Sequence, residues 1–409
     1  MSLKEKWNKE GEAYAFGINE MVAFAEKHGW DKWEEQNKPE PNDNRANLAK
    51  EVFELLKKAN QEGKVAEFRA DFPPAHEPFT KMMEEKSQAI DQICSISDDK
   101  IAFIVGASYE DNRQAYLLDN TEVTPLNSEI TGIGKAKKGA IFAIAYSDKI
   151  VITKGWEGEI ITELKREITH DFPITKILPF NDGKRVLLVS SKGIFLISQQ
   201  EEKLLKYSFE EDYEDDDFRI DMEHADLSHD NKYIAVGDQS TDHCILDENG
   251  NKIKAFYPAS SYPHFSLFSK DDNQLIFNSC HFYNGITFSV DMTDFQSIEE
   301  DAENPIIDEA MRVYAGVSVA DYYILGDAHG YIKAFDKTGR MLWRHFLGST
   351  ICSISISDDG KTLWVGSYSG FLHKLSLGKG HRDTHTIGTG NHYEDFRLII
   401  WKNEPILRW

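Results

Sequence analysis

The sequence predicts a mainly β fold built by repetition, behind a short helical preface. After about residue 90 the apolar spacing shifts from the helical period of about 3.6 towards the strand period of about 2. A unit of strand, Asp-containing turn, strand, Gly-rich turn and strand then recurs along the chain. Its pitch falls in the range of roughly 40 to 50 residues that one blade of a radial array of sheets occupies.

The preface comes first. Between Gly11 and Lys27, the residues Tyr14, Ile18, Met21, Val22 and Ala25 fall on one helical face. A second helix is expected from Asn42 to Gly63. Asn42 or Asp43 serves as its cap, Leu48, Val52, Leu55, Leu56 and Ala59 as its stripe, and Gly63 as its stop. A weaker helical stretch, Glu77 to Ile90, follows Pro73-Pro74. These helices carry too little apolar surface to stand alone, so residues 1–90 are expected to pack on something larger.

The clearest copy of the repeat runs Ile354-Ser355-Ile356-Ser357-Asp358-Asp359-Gly360-Lys361-Thr362-Leu363-Trp364-Val365-Gly366 and on through Gly370 to Leu372. Registering the other copies on it gives the turn aspartates Asp98, Asp148, Asp182, Asp230, Asp271, Asp321 and Asp358, at spacings of 50, 34, 48, 41, 50 and 37. Asp and Asn suit such turns because they tolerate left-handed backbone and bond nearby amides. The second turn uses Gly for the same backbone reason, at Gly158, Gly193, Gly330 and Gly370. Seven registered copies predict a seven-bladed β-propeller over residues 91–409. Two apolar stretches, Phe396 to Trp401 and Pro405 to Trp409, lie beyond the last registered unit and are expected to dock on the ring or on the helices.

These units resemble blades of the WD-repeat and quinoprotein-like propeller superfamily over about Asp91 to Gly388. The Trp-Asp dipeptide and Gly-His start of WD repeats are missing. The stretch Ala334-Phe335-Asp336-Lys337-Thr338-Gly339-Arg340-Met341-Leu342-Trp343 is similar to the Asp-x-Thr-Gly-x-x-x-Trp signature of quinoprotein blades, and Leu246 to Gly250 echoes its turn. The resemblance implies a structural role for this signature, with Trp343 wedged between blades, and no redox chemistry.

Composition narrows the function. With 69 acidic against 46 basic residues the formal charge is −23, which repels nucleic-acid phosphates and anionic lipid and favours a basic partner. Cys94, Cys244, Cys280 and Cys352 are scattered without a Cys-x-x-Cys pair, the pattern of free thiols in a reducing compartment. No stretch has the apolar length of a signal peptide or a membrane span. A cytoplasmic monomer is the expectation.

Specific chemistry is thin. The acidic run Glu210, Glu211, Asp212, Glu214, Asp215, Asp216 and Asp217 lacks the alternating oxygens and Gly of a calcium loop and reads as a solvated connection, or as a surface for a basic partner. His224, Asp226, His229 and His264 are candidate metal ligands, since equivalent strand positions converge on a propeller axis. Counted back from the turns, however, His224 and His264 fall on opposite strand faces. The aromatics Trp156, Tyr257, Tyr262 and Tyr283 are candidate rim anchors. No nucleophile elbow, phosphate loop or dinucleotide fingerprint occurs, and no cofactor is implied. The reading that follows is a non-catalytic protein-interaction scaffold capturing another, cationic protein. The alternative is an enzyme, a hydrolase or lyase with a metal in the central channel.

Overall fold

The computed structural model describes residues 1–110, 112–166, 173–206 and 219–409. From Ile90 onward, consecutive strands fold into seven antiparallel sheets that follow one another along the chain. The first strand of each is innermost: Ile90–Ser97, Gly132–Lys135, Ile174–Pro179, His224–Leu227, Tyr262–Phe268, Val313–Val319 and Ile351–Ile356. Neighbouring inner strands touch all round the ring, and that of blade 7 closes on that of blade 1. The chain is therefore a seven-bladed β-propeller.

The alternation along each strand explains the ring. A blade with apolar side chains on both faces must be covered on both, and stacking around an axis does this. One apolar cluster fills each gap between neighbouring blades. Between blades 3 and 4, for example, Leu187, Val189 and Leu196 meet Ala225, Ile234 and Leu246. At the closure, Phe103 and Leu118 of blade 1 meet Trp364, Leu372 and Phe396 of blade 7.

Six of the seven turn aspartates lie between the first and second strands, as their spacing predicts. Blade 2 departs from this register. Asp148 joins its second strand, Ile141–Ala145, to its third, Lys149–Lys154, and Gly158 precedes its fourth, Glu159–Lys165. The first hairpin of this blade instead turns at Gly139, whose φ of 78° takes the left-handed region. That turn contains no Asp, which hid it. The uneven spacings of 50 and 34 were its trace, for Gly139 lies 41 residues after Asp98 and 43 before Asp182.

Blade 7 has five strands. Tyr393–Ile399 is its fourth, so Phe396 belongs to the blade itself, and Leu407–Arg408 adds a short fifth. Trp343 also sits differently from its expected wedge. It lies on the outermost strand of blade 6, Met341–Phe346, and is only half-buried, packed on the cluster between blades 6 and 7. The ring of His392 stands edge-on to it at 4.1 Å. The outer side of this strand is bonded by the loop from Ile387 to Gly390, and its Trp covers the rim of the gap and does not fill it.

Five helices precede the ring: α1 (Leu3–His28), α2 (Trp30–Glu34), α3 (Ala49–Glu62), α4 (Val65–Asp71) and α5 (Thr80–Met83). Ser2 and Glu5 form a capping box at the start of α1. Asp43 caps the 3-10 turn Asn44–Leu48 that leads into α3, and Gly63 ends α3 at φ 70°. The buried face of α3 is Val52, Phe53, Leu56 and Ala59, whereas Leu55 is 37% exposed. The stripe read from the sequence is thus rotated by one or two positions, because Phe53 faces a partner on the ring.

That partner is the outer edge of blade 7. Trp7, Phe53 and Phe79 bury themselves in one cluster with Trp401, Leu407 and Trp409. Each indole N–H is satisfied, Trp7 by Pro73 O, Trp409 by Phe72 O and Trp401 by Ser369 O, all at 2.9 Å. Asn60 exchanges two hydrogen bonds with the backbone of Arg408, at 2.8 and 2.9 Å, imitating a strand neighbour. Burying so many large rings at roughly 1.5–3 kcal/mol each makes this contact a major part of the core.

Histidines accumulate beneath the helices. Burial pushes His76 down to about 3, with Arg397 and His373 adding to the effect. Burial likewise lowers His345 and His392 to about 4.

Two outcomes are expected. Trp409→Ala, which removes a fully buried ring, should cost about 3–5 kcal/mol in urea denaturation, and Trp343→Ala clearly less. Stability should also fall with acidification. The five rings held neutral (His76, His345 and His392, with His224 and His264 in the channel) have folded pKa values below the unfolded value of about 6.5. The unfolded chain therefore binds more protons below that pH, and stability is lost from about 6.5 down to about 4. Carboxyls raised by burial oppose this: Asp91, up to about 6, and Glu77, Glu223, Asp242 and Asp327. A melting temperature flat between about pH 7 and pH 4 would contradict the burial of these rings.

Candidate functional site in the central channel

The inner strands leave a cavity of about 580 Å³ on the ring axis. Because strands alternate in direction, each inner strand begins at one face of the ring, here called upper, and ends at the lower. Loops joining second to third strands also open on the upper face.

Near the upper mouth the polar side chains are tied to the wall. The Asp91 carboxylate pairs with Arg113 at 2.6 Å, yet burial outweighs the guanidinium and leaves its carboxyl raised to about 6. Glu223 accepts a hydrogen bond from the Thr175 hydroxyl and is also raised by burial. Arg312 donates to His264 Nε2 at 3.3 Å and to Phe282 O at 2.7 Å, and lies 4.8 Å from the Tyr314 ring. With Nε2 accepting, His264 Nδ1 carries the proton and donates to Val313 O at 2.6 Å. Burial and the neighbouring Arg312 hold this ring down to about 3. Tyr109 and Tyr368 meet hydroxyl to hydroxyl at 2.6 Å.

Deeper in the channel, Asp226 is 1% exposed. Its carboxylate lies 2.7 Å from Lys137 and 3.9 Å from Lys176, and accepts the Phe268 N–H at 2.9 Å. Burial pushes its carboxyl up, but the two ammonium groups prevail and leave it below the ordinary value.

His224, Asp226, His229 and His264 all line this cavity. The opposite-face expectation for His224 and His264 fails because a bulge between Pro263 and Phe265 resets the strand phase. They still do not make a metal centre. His224 Nδ1 is bound to Met222 O at 2.9 Å, His229 Nδ1 to Asp272 at 3.1 Å, and His264 uses both nitrogens. Among the described residues no three His, Cys, Asp or Glu side chains converge on one point. The acidic run from Glu210 to Asp217 lies outside the described residues. Trp156 is buried, edge-on to Phe142 at 5.7 Å between blades 1 and 2, so it is no rim anchor. Lys137, Lys176 and Arg312, which shape the channel, carried no motif. Lys176 lies on an inner strand, whereas Lys137 follows one and Arg312 precedes one, so no single register position marks the three.

Five exposed aromatics gather on one face, while Phe16, Trp30 and Tyr393 lie elsewhere. Tyr109 is 64% exposed, Phe282 72%, Tyr283 69%, Tyr262 39% and Tyr368 41%. Tyr109, Phe282, Tyr283 and Tyr368 sit in loops between second and third strands, and Tyr262 starts an inner strand, so all five belong to the upper face.

No family model matches this chain. No curated protein matches it either. Solved structures that resemble it include the β-propeller domain of Cps50 (Swd1) from Myceliophteria thermophila, at 12% identity and a TM-score of 0.50, covering 68% of this chain and 93% of that one. Another is Kuenenia stuttgartiensis hydrazine synthase, at 12% identity and a TM-score of 0.45, covering 61% of this chain and 76% of that one. At these identities the likeness is one of fold alone. Among the described residues no helix is long and apolar enough to cross a membrane.

Asp226→Asn keeps the shape and the acceptor for Phe268 N–H but removes the counter-charge of Lys137 and Lys176. Breaking a buried pair in this way should cost about 3–5 kcal/mol in urea unfolding. A cost below about 1 kcal/mol would show that the channel ion pair is fully hydrated.

Proposed function

We propose that this propeller is a non-catalytic interaction module that docks another protein on its upper face. The observation that carries this reading is the concentration of Tyr109, Tyr262, Phe282, Tyr283 and Tyr368 there, exposed and around the channel mouth. Tyr and Phe supply large contact areas at small entropic cost and dominate the buried centres of interfaces. The Phe282-Tyr283 tip projects furthest into solvent of these by exposure, and its backbone is steadied by Arg312. The formal charge of −23 favours a basic partner and disfavours nucleic acid or anionic lipid. The enzyme alternative has no comparable support, since Asp226, His229 and His264 are engaged with protein groups.

Capture from extract of the native source tests the reading. Phe282→Ser with Tyr283→Ser should leave the melting temperature unchanged while the captured partner drops by at least about tenfold, the effect of losing two interface anchors. Undiminished capture of the same partner by the double variant would overturn the assignment of this face.

A further inference from the structure

An acidic chain, of formal charge −23, turns a group of lysines towards its own axis. Lys135, Lys137, Lys176 and Lys270 all line the central cavity, in its deeper part and at its lower mouth. Two carboxylates accompany them. Lys135 meets Asp358 at 2.7 Å, but the Asp358 side chain is 81% exposed and spends its charge on solvent. Lys137 meets Asp226 at 2.7 Å.

The other two lysines are not balanced. Lys176 comes no closer than 3.9 Å to Asp226, and its hydrogen bond goes to the Ala225 carbonyl at 3.0 Å. Although the ring encloses it, 41% of its side chain is accessible, and that surface looks into the cavity. Lys270 stands on the lower mouth with no hydrogen-bond or ion-pair partner among the described residues. Burial lowers both ammonium groups from their usual range, and neighbouring lysines add to this. Lys270 without a carboxylate, and Lys176 sharing Asp226 with Lys137, repel one another in a partly desolvated channel, a cost that an anion reduces.

Lys176 and Lys270 therefore turn ammonium charge towards one cavity. Its volume of about 580 Å³ is that of an ordinary small-molecule site.

We infer that the central channel binds a small organic anion, with Lys176 as the anchor of its oxyanion group. Lys137 and Lys270 add attraction. Carboxylates and phosphates share this chemistry. The site opens through the lower mouth and does not depend on docking at the upper face.

The experiment uses the full chain and two probes, glycerol 3-phosphate and tartrate, at constant ionic strength against sodium chloride. At a hundredfold excess over Kd, a bound probe should raise the melting temperature by about 3 °C for a chain of this size. Calorimetric titration should then show binding weakened roughly tenfold by Lys176→Met. Lys270→Ala, at the exposed mouth, preserves the fold and should weaken binding and steepen its loss with salt. A response to glycerol 3-phosphate alone identifies a phosphate site, and to tartrate alone a carboxylate site. No shift with either probe beyond the chloride control, or binding unchanged in both Lys176→Met and Lys270→Ala, overturns the inference.

Discussion

Everything in this molecule depends on each sheet being apolar on both faces. A sheet of that kind has no stable solitary form, and the ring is the arrangement that covers all fourteen faces with only seven interfaces. Each interface is a separate apolar cluster, the closure between blades 7 and 1 included. Here blades 1 and 7 are each complete in themselves, and no strand is exchanged between them. Side chains close the ring instead. The Phe103 and Trp364 cluster does so with hydrogen bonds from Ser353 Oγ to Ile90 O at 2.5 Å and from Ser95 N–H to Ser355 Oγ at 3.1 Å.

The helices reinforce that seam from outside. They cover the edge of blade 7, and the chain then runs directly into the inner strand of blade 1. Lys86, at that crossing, pairs with Glu404 at 2.6 Å and accepts the Lys402 N–H at 2.8 Å. The short fifth strand and the aromatic cluster thus do two things at once. They blunt an open sheet edge, and they fasten the last blade to the start of the first.

The same geometry creates the channel. Inner strands bring one or two side chains from every blade to the axis, where water is restricted and charges are felt strongly. Asp226 joins blades 2, 3, 4 and 5 through Lys137, Lys176 and the Phe268 amide. The two mouths differ in character. The upper presents Tyr109, Tyr368, Phe282 and Tyr283, and the lower presents lysines and turn aspartates. That polarity suits the two proposed roles, protein docking on the upper face and a small ligand in the channel.

Local backbone chemistry was legible in the residues. Asp and Gly at regular spacing specify tight turns by their tolerance of left-handed backbone, which is a local property, and six such turns with the Gly139 turn mark the seven blades. The stop at Gly63 is local in the same sense, whereas the first helix, expected from Gly11, begins at Leu3 behind a cap at Ser2. The fold decided what depends on partners distant along the chain. The rotation of the α3 stripe towards Phe53 was set by Trp401, whose ring stacks on it at 5.1 Å. The placing of Phe396 inside blade 7, the rim position of Trp343 and the burial of Trp156 also needed neighbours that sequence spacing does not reveal. The candidate site belongs to this second class. One bulge shifts the phase of an inner strand by a full face, so whether His264 or Lys176 reaches the axis is settled only when the seven strands are brought together around it.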